Sequence, residues 1–204
     1  MKYGFEREYF LYQQGAIIAV PLPLGNFYAD GSGYLVESRG QPNSDPVVAA
    51  FLSRAADYAL KKAVKKHKCS LRCEASARIP LEVQRTARRT HVKGRIKYQN
   101  LYGLDLPPVR TEDTGAIWAT AGLHVHFSNP RKVDGRVGQT VVSEHFDFVQ
   151  IIRDLDKEFK DWIEAAERVP GMYELKPHGI EYRSLPATID PLLVASFLDA
   201  REGQ

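Results

Sequence analysis

The chain is poor in sulfur and has no long apolar run. Only two of its 204 residues are cysteines, Cys69 and Cys73, too few for a disulfide framework or, even with His67 nearby, a complete zinc site. No stretch approaches the roughly 18 consecutive apolar residues of a membrane helix. The first residues, MKYGFEREYF, carry acids where a secretory signal would carry its apolar run, so a cytoplasmic location away from membranes is expected. Internal repeats and low-complexity tracts are absent. So are the G-x-x-x-x-G-K-[ST] phosphate loop and the G-x-S-x-G elbow, and Gly31-Ser32-Gly33 does not extend into a dinucleotide fingerprint. Any nucleotide binding must therefore use a fold without a P-loop.

What is present reads as one globular domain spanning residues 1–204, with 44% hydrophobic and 26% charged residues. The formal charge of +3 conceals a split. Residues 54–97 hold 14 of the 28 Lys and Arg with only three acids, a local +11, so the remainder sums to −8. A stretch of that sign could engage nucleic acid or another acidic macromolecule. Part of it has a plainer explanation, because KKAVKKHK closes a helix and cations suit that end.

The patterning alternates between two periods. Tyr3–Tyr12 and Ile17–Leu22 read as strands around a Gln13-Gln14-Gly15 turn, and an Asp30–Gly33 turn leads into a strand at Tyr34–Ser38. Ser44-Asp45-Pro46 caps a helix whose predicted apolar face carries Val48, Phe51, Leu52, Ala55, Ala59 and Leu60. Residues 69–113 suggest short strands or an irregular arm, giving a basic insertion at about 61–113. A strand is expected at Gly115–Phe127, a polar loop at Ser128–Gly138 and a long helix over about Glu144–Val169 that Pro170-Gly171 stops. A strand at Ile180–Leu185 follows, and Asp190-Pro191 caps a last short helix. This order predicts an α+β fold, an antiparallel-rich curved sheet with helices packed on one face.

Three of the expected strands carry two polar groups one residue apart: Glu6-Arg7-Glu8, His124-Val125-His126 and Glu181-Tyr182-Arg183. Alternation sends each pair to one side, with Arg7, Val125 and Tyr182 facing the other. If the strands are neighbours, one face collects three carboxylates, two imidazoles and a guanidinium, and Glu37 adds a fourth carboxylate. Such anions need positive charge among them. Mg²⁺ or Mn²⁺ on carboxylate oxygens supplies it, and an arginine there meets phosphate in bidentate fashion. Those parts suit phosphoryl transfer.

The same residues carry a resemblance. Gly4–Tyr12 looks like the G-x-E-x-E-[FY]-F strand of the glutamine synthetase and glutamate–cysteine ligase superfamily. Ala121–Ser128 is similar to its G-[GM]-H-x-H-x-S motif, and Glu181-Tyr182-Arg183 to its E-[FY]-R strand. Pro170–Pro186 more closely resembles the P-G-x-[FY]-R-x-K-P-Y-G-x-E-Y-R signature of the phage-associated carboxylate–amine ligases (COOH.NH2 ligase, type 2). Asp30–Glu37 resembles that family's D-G-x-x-x-E strand. The resemblance implies a glutamine-synthetase-like catalytic domain in the cytoplasm (the host's, if phage-encoded) that forms an amide or peptide bond from ATP, a carboxylate and an amine through an acyl phosphate.

By motif position, Glu8 and Glu37 would hold one Mg²⁺ or Mn²⁺, and Glu6, His124 and Glu181 the other. His126 and Arg183 would be the catalytic residues at the ATP phosphates, with Lys176 as a further phosphate contact and Gly122 close to substrate. Two departures stand out. The family's arginine before Lys176 is Glu174, and the third carboxylate of the first metal site has no counterpart, since Asp45, eight residues after Glu37, occupies a helix-cap position. The alternative is a degenerate ligase fold acting as a nucleic-acid-binding or virion-associated protein. Substrate identity and oligomeric state are not written in these motifs.

Overall fold

A computed structural model describes residues 1–20, 28–29, 32–90, 98–128 and 147–202. Eleven strands are defined among them: β1 (Lys2–Gln13), β2 (Ala16–Ile17), β3 (Tyr28–Ala29), β4 (Leu35–Arg39), β5 (Cys69–Arg72), β6 (Ser76–Ile79), β7 (Gln99–Asn100), β8 (Ile117–Thr120), β9 (Gly122–Ser128), β10 (Met172–Lys176) and β11 (Gly179–Pro186). The helices are α1 (Pro46–Lys65), α2 (Leu81–Thr90), α3 (Phe148–Glu158), α4 (Lys160–Ala165) and α5 (Pro191–Glu202). The large sheet runs β3-β4-β1-β9-β11-β10-β7, with β2 and β5 also on β1, while β6 and β8 form a separate pair. All of these pairings are antiparallel. The mixed α+β, antiparallel expectation therefore holds.

Alternation along β1 divides the molecule. Tyr3 and Phe5 point to a core with Leu123, Val125 and Phe127 of β9 and with Ile180, Tyr182 and Leu185 of β11. Residues of α1, α3, α4 and α5 close over this face, among them Ala49, Ile152, Ile163 and Val194. Burying each large apolar side chain there contributes about 1.5–3 kcal/mol. Glu6 and Glu8 take the opposite face. Farther along that face, Phe10 and Leu35 meet a smaller core made by β6, β8 and α2 through Ala77, Ile79, Val83 and Ala119. Helices thus cover one face, and α2 with its two-stranded sheet stands at one end of the other.

Strand β11 contains an irregularity that matters for the site. Tyr182 pairs with Val125 and Leu185 with Leu123, so Arg183 and Ser184 together lie opposite His124 alone. This is a β-bulge, one extra residue on one strand. It lets Tyr182 and Leu185 both enter the core while Arg183 stays on the face of Glu6.

Several expectations change. The buried face of α1 is Ala49, Ala50, Ser53, Asp57, Leu60 and Val64, whereas Val48, Phe51, Ala55 and Ala59 are exposed. Small residues make that face because the helix lies very close to the sheet: a Cβ on Gly40 would come 2.7 Å from the Ser53 backbone. Asp57 is buried there because Arg7 pairs with it at 3.3 Å and the Ser38 hydroxyl donates to it. Asp45 caps this helix, accepting from the Val47 and Val48 amides.

The helix expected over 144–169 is two helices that part at Phe159, which is buried in the main core. The strand expected over 115–127 breaks at Ala121, where β8 leaves for its partner β6 and β9 enters the large sheet. The segment read as a basic arm over 61–113 is, where described, part of the fold, with β5 on β1 and β7 on β10. The Asp30-Gly31 turn, the end of the Ile17–Leu22 strand, most of the 128–138 loop, the helix start at 144–146 and the basic residues 91–97 lie outside the described residues.

Breaking a buried ion pair from one side leaves an uncompensated charge and costs about 3–5 kcal/mol. Asp57→Ala should therefore lower unfolding stability by about 3 kcal/mol or more. Chemical denaturation of the Arg7→Met/Asp57→Ala double variant should recover over half of that loss. A double variant no more stable than Asp57→Ala would show that the pair is not what holds α1 to β1.

Candidate functional site

The registers set the predicted polar groups side by side. Glu6 lies opposite Arg39 on β4 and His124 on β9, and Glu8 lies opposite Glu37. His126 lies opposite Glu181, and Glu181 opposite Glu174 on β10. Five neighbouring strands, β4, β1, β9, β11 and β10, thus carry the cluster on one face. Glu8, Glu37, His124 and Glu181 are buried, an unusual fate for charged groups without partners.

Their partners are each other and a few cations. Arg39 reaches Glu37 at 2.6 Å and Glu6 at 3.2 Å. Lys176 reaches Glu181 at 2.7 Å and Glu174 at 2.8 Å. Arg183 pairs with Glu181 and stands 3.6 Å from Glu174, with its guanidinium 5.0 Å from the centre of the Tyr98 ring. Five carboxylates (Glu6, Glu8, Glu37, Glu174 and Glu181) face Arg39, Lys176 and Arg183, with Arg168 at the margin. The cluster keeps an excess of negative charge.

The imidazoles complete it. His124 Nδ1 lies 3.0 Å from a Glu181 oxygen and Nε2 lies 3.7 Å from one of Glu8. His126 Nε2 lies 3.3 Å from Glu6, and its Nδ1 lies 3.2 Å from His178 Nε2. Although close to carboxylates, His124 Nδ1 and His126 Nε2 are buried without hydrogen-bond geometry to any partner. Ligand atoms of Glu6, Glu37 and His124 lie within 4.8 Å of one another, and so do those of Glu6, His126 and Glu181. These groupings differ from the motif-derived sets: Glu6 belongs to both, and Glu8 to neither.

Glu8 has another engagement, accepting the Gly122 amide at 2.6 Å. A Cβ on Gly122 would meet His124 Nε2 at 2.8 Å and an Arg168 nitrogen at 2.9 Å, so the site's own side chains fill the space over this glycine and the close approach of substrate expected there is blocked. Arg168 donates to the carbonyls of Ala121, Arg183 and Ser184, binding the ends of β9 and β11 together. Beside Glu8, His124 and Arg183 opens a cleft of about 690 Å³ walled in part by Tyr34, Tyr98 and Trp118.

Sequence reasoning named Glu6, Glu8, Glu37, His124, His126, Glu181 and Arg183, and all seven share this face. Lys176, expected as a phosphate contact, is on β10 and in contact with Glu181. Arg39 was missed, though Glu37-Ser38-Arg39 has the same alternation as Glu181-Tyr182-Arg183. Glu174 was treated only as a departure. Arg168 and His178 gave no local signal, and Tyr98 pointed only to the basic stretch beside it. Cys69 and Cys73 are free thiols, and Cys73 donates to the Ala187 carbonyl. No family model, curated protein or solved structure matches the chain.

Burial pushes the His124 imidazole down to about 4, with Arg183 acting in the same direction, so it is neutral at pH 7. Burial opposes ionisation of Glu181, but His124 and Arg183 outweigh it and hold its pKa below the usual carboxylate range. Glu6 is held low in the same way by His126 and Arg39. For Lys176, burial opposes the charge and the carboxylates of Glu174 and Glu181 overcome it, raising the pKa.

A depressed folded-state pKa contributes stability that is present above the unfolded value and lost as pH falls toward the folded one. His124 should therefore take roughly 1.5 kcal/mol from the unfolding free energy between pH 6.5 and 5. Glu6 and Glu181 extend the loss at lower pH. Urea titrations of His124→Gln should show a visibly flatter profile over that interval. An unchanged slope would mean that His124 is not the group responsible.

Proposed function

We propose that this chain is an ATP-dependent carboxylate–amine ligase with a glutamine-synthetase-like catalytic sheet, forming an amide or peptide bond at a divalent-metal centre. The observation that carries the reading is the pair of donor groups, Glu6–Glu37–His124 and Glu6–His126–Glu181, in which two buried imidazole nitrogens stand 3.0 and 3.3 Å from carboxylates without good hydrogen-bond geometry. Carboxylate oxygens with imidazole nitrogens suit Mg²⁺ or Mn²⁺, and the excess negative charge favours a cation. The donor sets therefore fit the two ions that the motifs imply. Glu6, Glu37 and His124 would hold one, with Glu8 opposite Glu37, and Glu6, His126 and Glu181 the other. When bound, such an ion neutralises phosphate charge.

The chain's own residues would then divide the work. A substrate carboxylate oxygen attacks the γ-phosphorus of ATP and ADP departs. An amine next attacks the acyl carbon, phosphate leaves and the amine gives up a proton. Arg183, supported by Tyr98, would counter charge as the phosphoryl group moves, and Lys176 would meet phosphate oxygens. Glu174 would draw on Arg183 and Lys176 and restrain how far each can turn toward phosphate. The aromatic walls of the cleft suit small-molecule or peptide acids and amines.

With Mg²⁺, ATP and a panel of acid and amine pairs, wild-type protein should release ADP with amide formation. Glu6→Ala and Glu181→Ala should lower that rate by about 10³-fold or more while circular dichroism stays unchanged. Full turnover in both variants would overturn the site assignment.

One observation favours a second reading, the degenerate fold that binds nucleic acid. Tyr58 is 71% exposed on α1, and with Lys61, Lys62, Lys65 and Ser70 it surrounds a hollow of about 370 Å³. Asp57, the one acid of α1, is turned away and buried. An aromatic ring among lysines suits single-stranded nucleic acid through stacking and phosphate contacts. Binding of a fluorescent oligo(dT) should then weaken steeply with salt and fall about tenfold in Tyr58→Ala. No retention at low salt would remove this reading.

A further inference from the structure

The donor group Glu6–Glu37–His124 already accommodates a cation that the chain itself supplies. Arg39 extends from the end of β4, directly opposite Glu6 in register. Its guanidinium lies 2.6 Å from Glu37 and 3.2 Å from Glu6. The two carboxylates are largely buried, with side-chain exposures of 7% and 16%, whereas the arginine side chain is 47% exposed. The anions are fixed in the sheet, and their counter-ion sits on a long stem with solvent on one side.

A guanidinium and a divalent ion seek the same lone pairs, and two positive centres on one pair of carboxylates repel each other. His124, the third donor of the group, is 1% exposed and is not part of the Arg39 pairing. We infer that Arg39 is an internal competitor for the divalent ion: it bridges Glu6 and Glu37 in the ion-free chain and must turn toward solvent for the centre to load. The inference rests on the metal-centre reading given above and adds a residue that sets the centre's affinity.

The other group supplies a contrast. Lys176 contacts Glu181 there, but it also contacts Glu174 at 2.8 Å, a carboxylate outside both donor groups. Lys176 therefore retains an anion when Glu181 turns to an ion. Glu6 and Glu37, the carboxylates at Arg39, are both metal donors, and Glu6 belongs to both groups. Removing the arginine should thus ease loading far more than removing the lysine.

The test is Mn²⁺ binding to the full chain without ATP or substrate, followed by calorimetry and by the electron-spin signal of free Mn²⁺. Arg39→Gln should bind Mn²⁺ at least about tenfold more tightly than wild type, and Lys176→Gln should change affinity by less than about threefold. Arg39→Lys retains the charge and should stay within about threefold of wild type. It separates charge competition from lost packing and keeps the test decisive if the Gln variant folds poorly. In thermal melts Arg39→Gln should unfold below wild type without metal, and saturating Mn²⁺ should close or reverse that gap.

Equal or weaker binding by Arg39→Gln in a protein whose wild type binds Mn²⁺ overturns the inference and leaves the metal centre standing. Tightening of Arg39→Lys as great as that of Arg39→Gln overturns it as well. Absence of Mn²⁺ binding in every form overturns both the centre and the inference.

Discussion

The antiparallel register of β1 against β9 and β4 is the constraint on which the rest of the structure depends. Strand side chains alternate with a period of two, so a slip of one residue would carry a whole strand's set to the other face. In β1 that slip would send Glu6 and Glu8 into the helix-covered core and bring Phe5 and Tyr9 out among the charged groups. Neither face would tolerate the exchange. Carboxylates would be buried without cations, and large rings would lose their core. The apolar packing of Tyr3, Phe5, Val125 and Tyr182 and the charge pairing of Glu6, His124 and Glu181 therefore specify one alignment together.

Buried charge then organises the layers around that sheet. On the helix side, Arg7 and Asp57 bring α1 against β1, and Asp156 of α3 accepts hydrogen bonds from Tyr182 at 2.6 Å and Tyr102 at 2.8 Å. On the opposite side, arginine and lysine divide the carboxylates among them. Arg168 joins the sides by binding carbonyls at the ends of β9 and β11. Such pairs add little net stability over well-packed apolar residues, but each strongly penalises an arrangement that leaves one member alone. They act chiefly by excluding alternatives.

The sequence made much of this legible, and the exceptions share a cause. Glu6, Glu8, His124, His126, Glu181 and Arg183 could be assigned to one face because strand alternation is a local property. The start of α1 was legible at Asp45-Pro46, since capping involves adjacent residues. Its buried face was not, because hydrophobicity points to Phe51 while the close approach of helix and sheet selects Ala49, Ala50 and Ser53. Partner exchange at Ala121, the helix break at Phe159 and the inward turn of Arg168 all depend on contacts with distant segments. Lys176 ends β10, and Pro177 and His178 after it are the turn of the β10–β11 hairpin.

The bulge at Arg183 and Ser184 bears on how chain length is constrained along β11. Tyr182 and Leu185 are three residues apart, so an unbulged strand of this length would send them to opposite faces, and the extra residue brings both into the core. Deleting Arg183 or Ser184 would restore a regular ladder with both core side chains still inward, so the core does not require both residues. What would be lost is one of two tasks performed opposite His124: Arg183 pairs with Glu181, and the Ser184 hydroxyl accepts the Met172 amide at 2.9 Å. The bulge gives a single rung of the sheet two occupants, one for the charged face and one for the neighbouring strand.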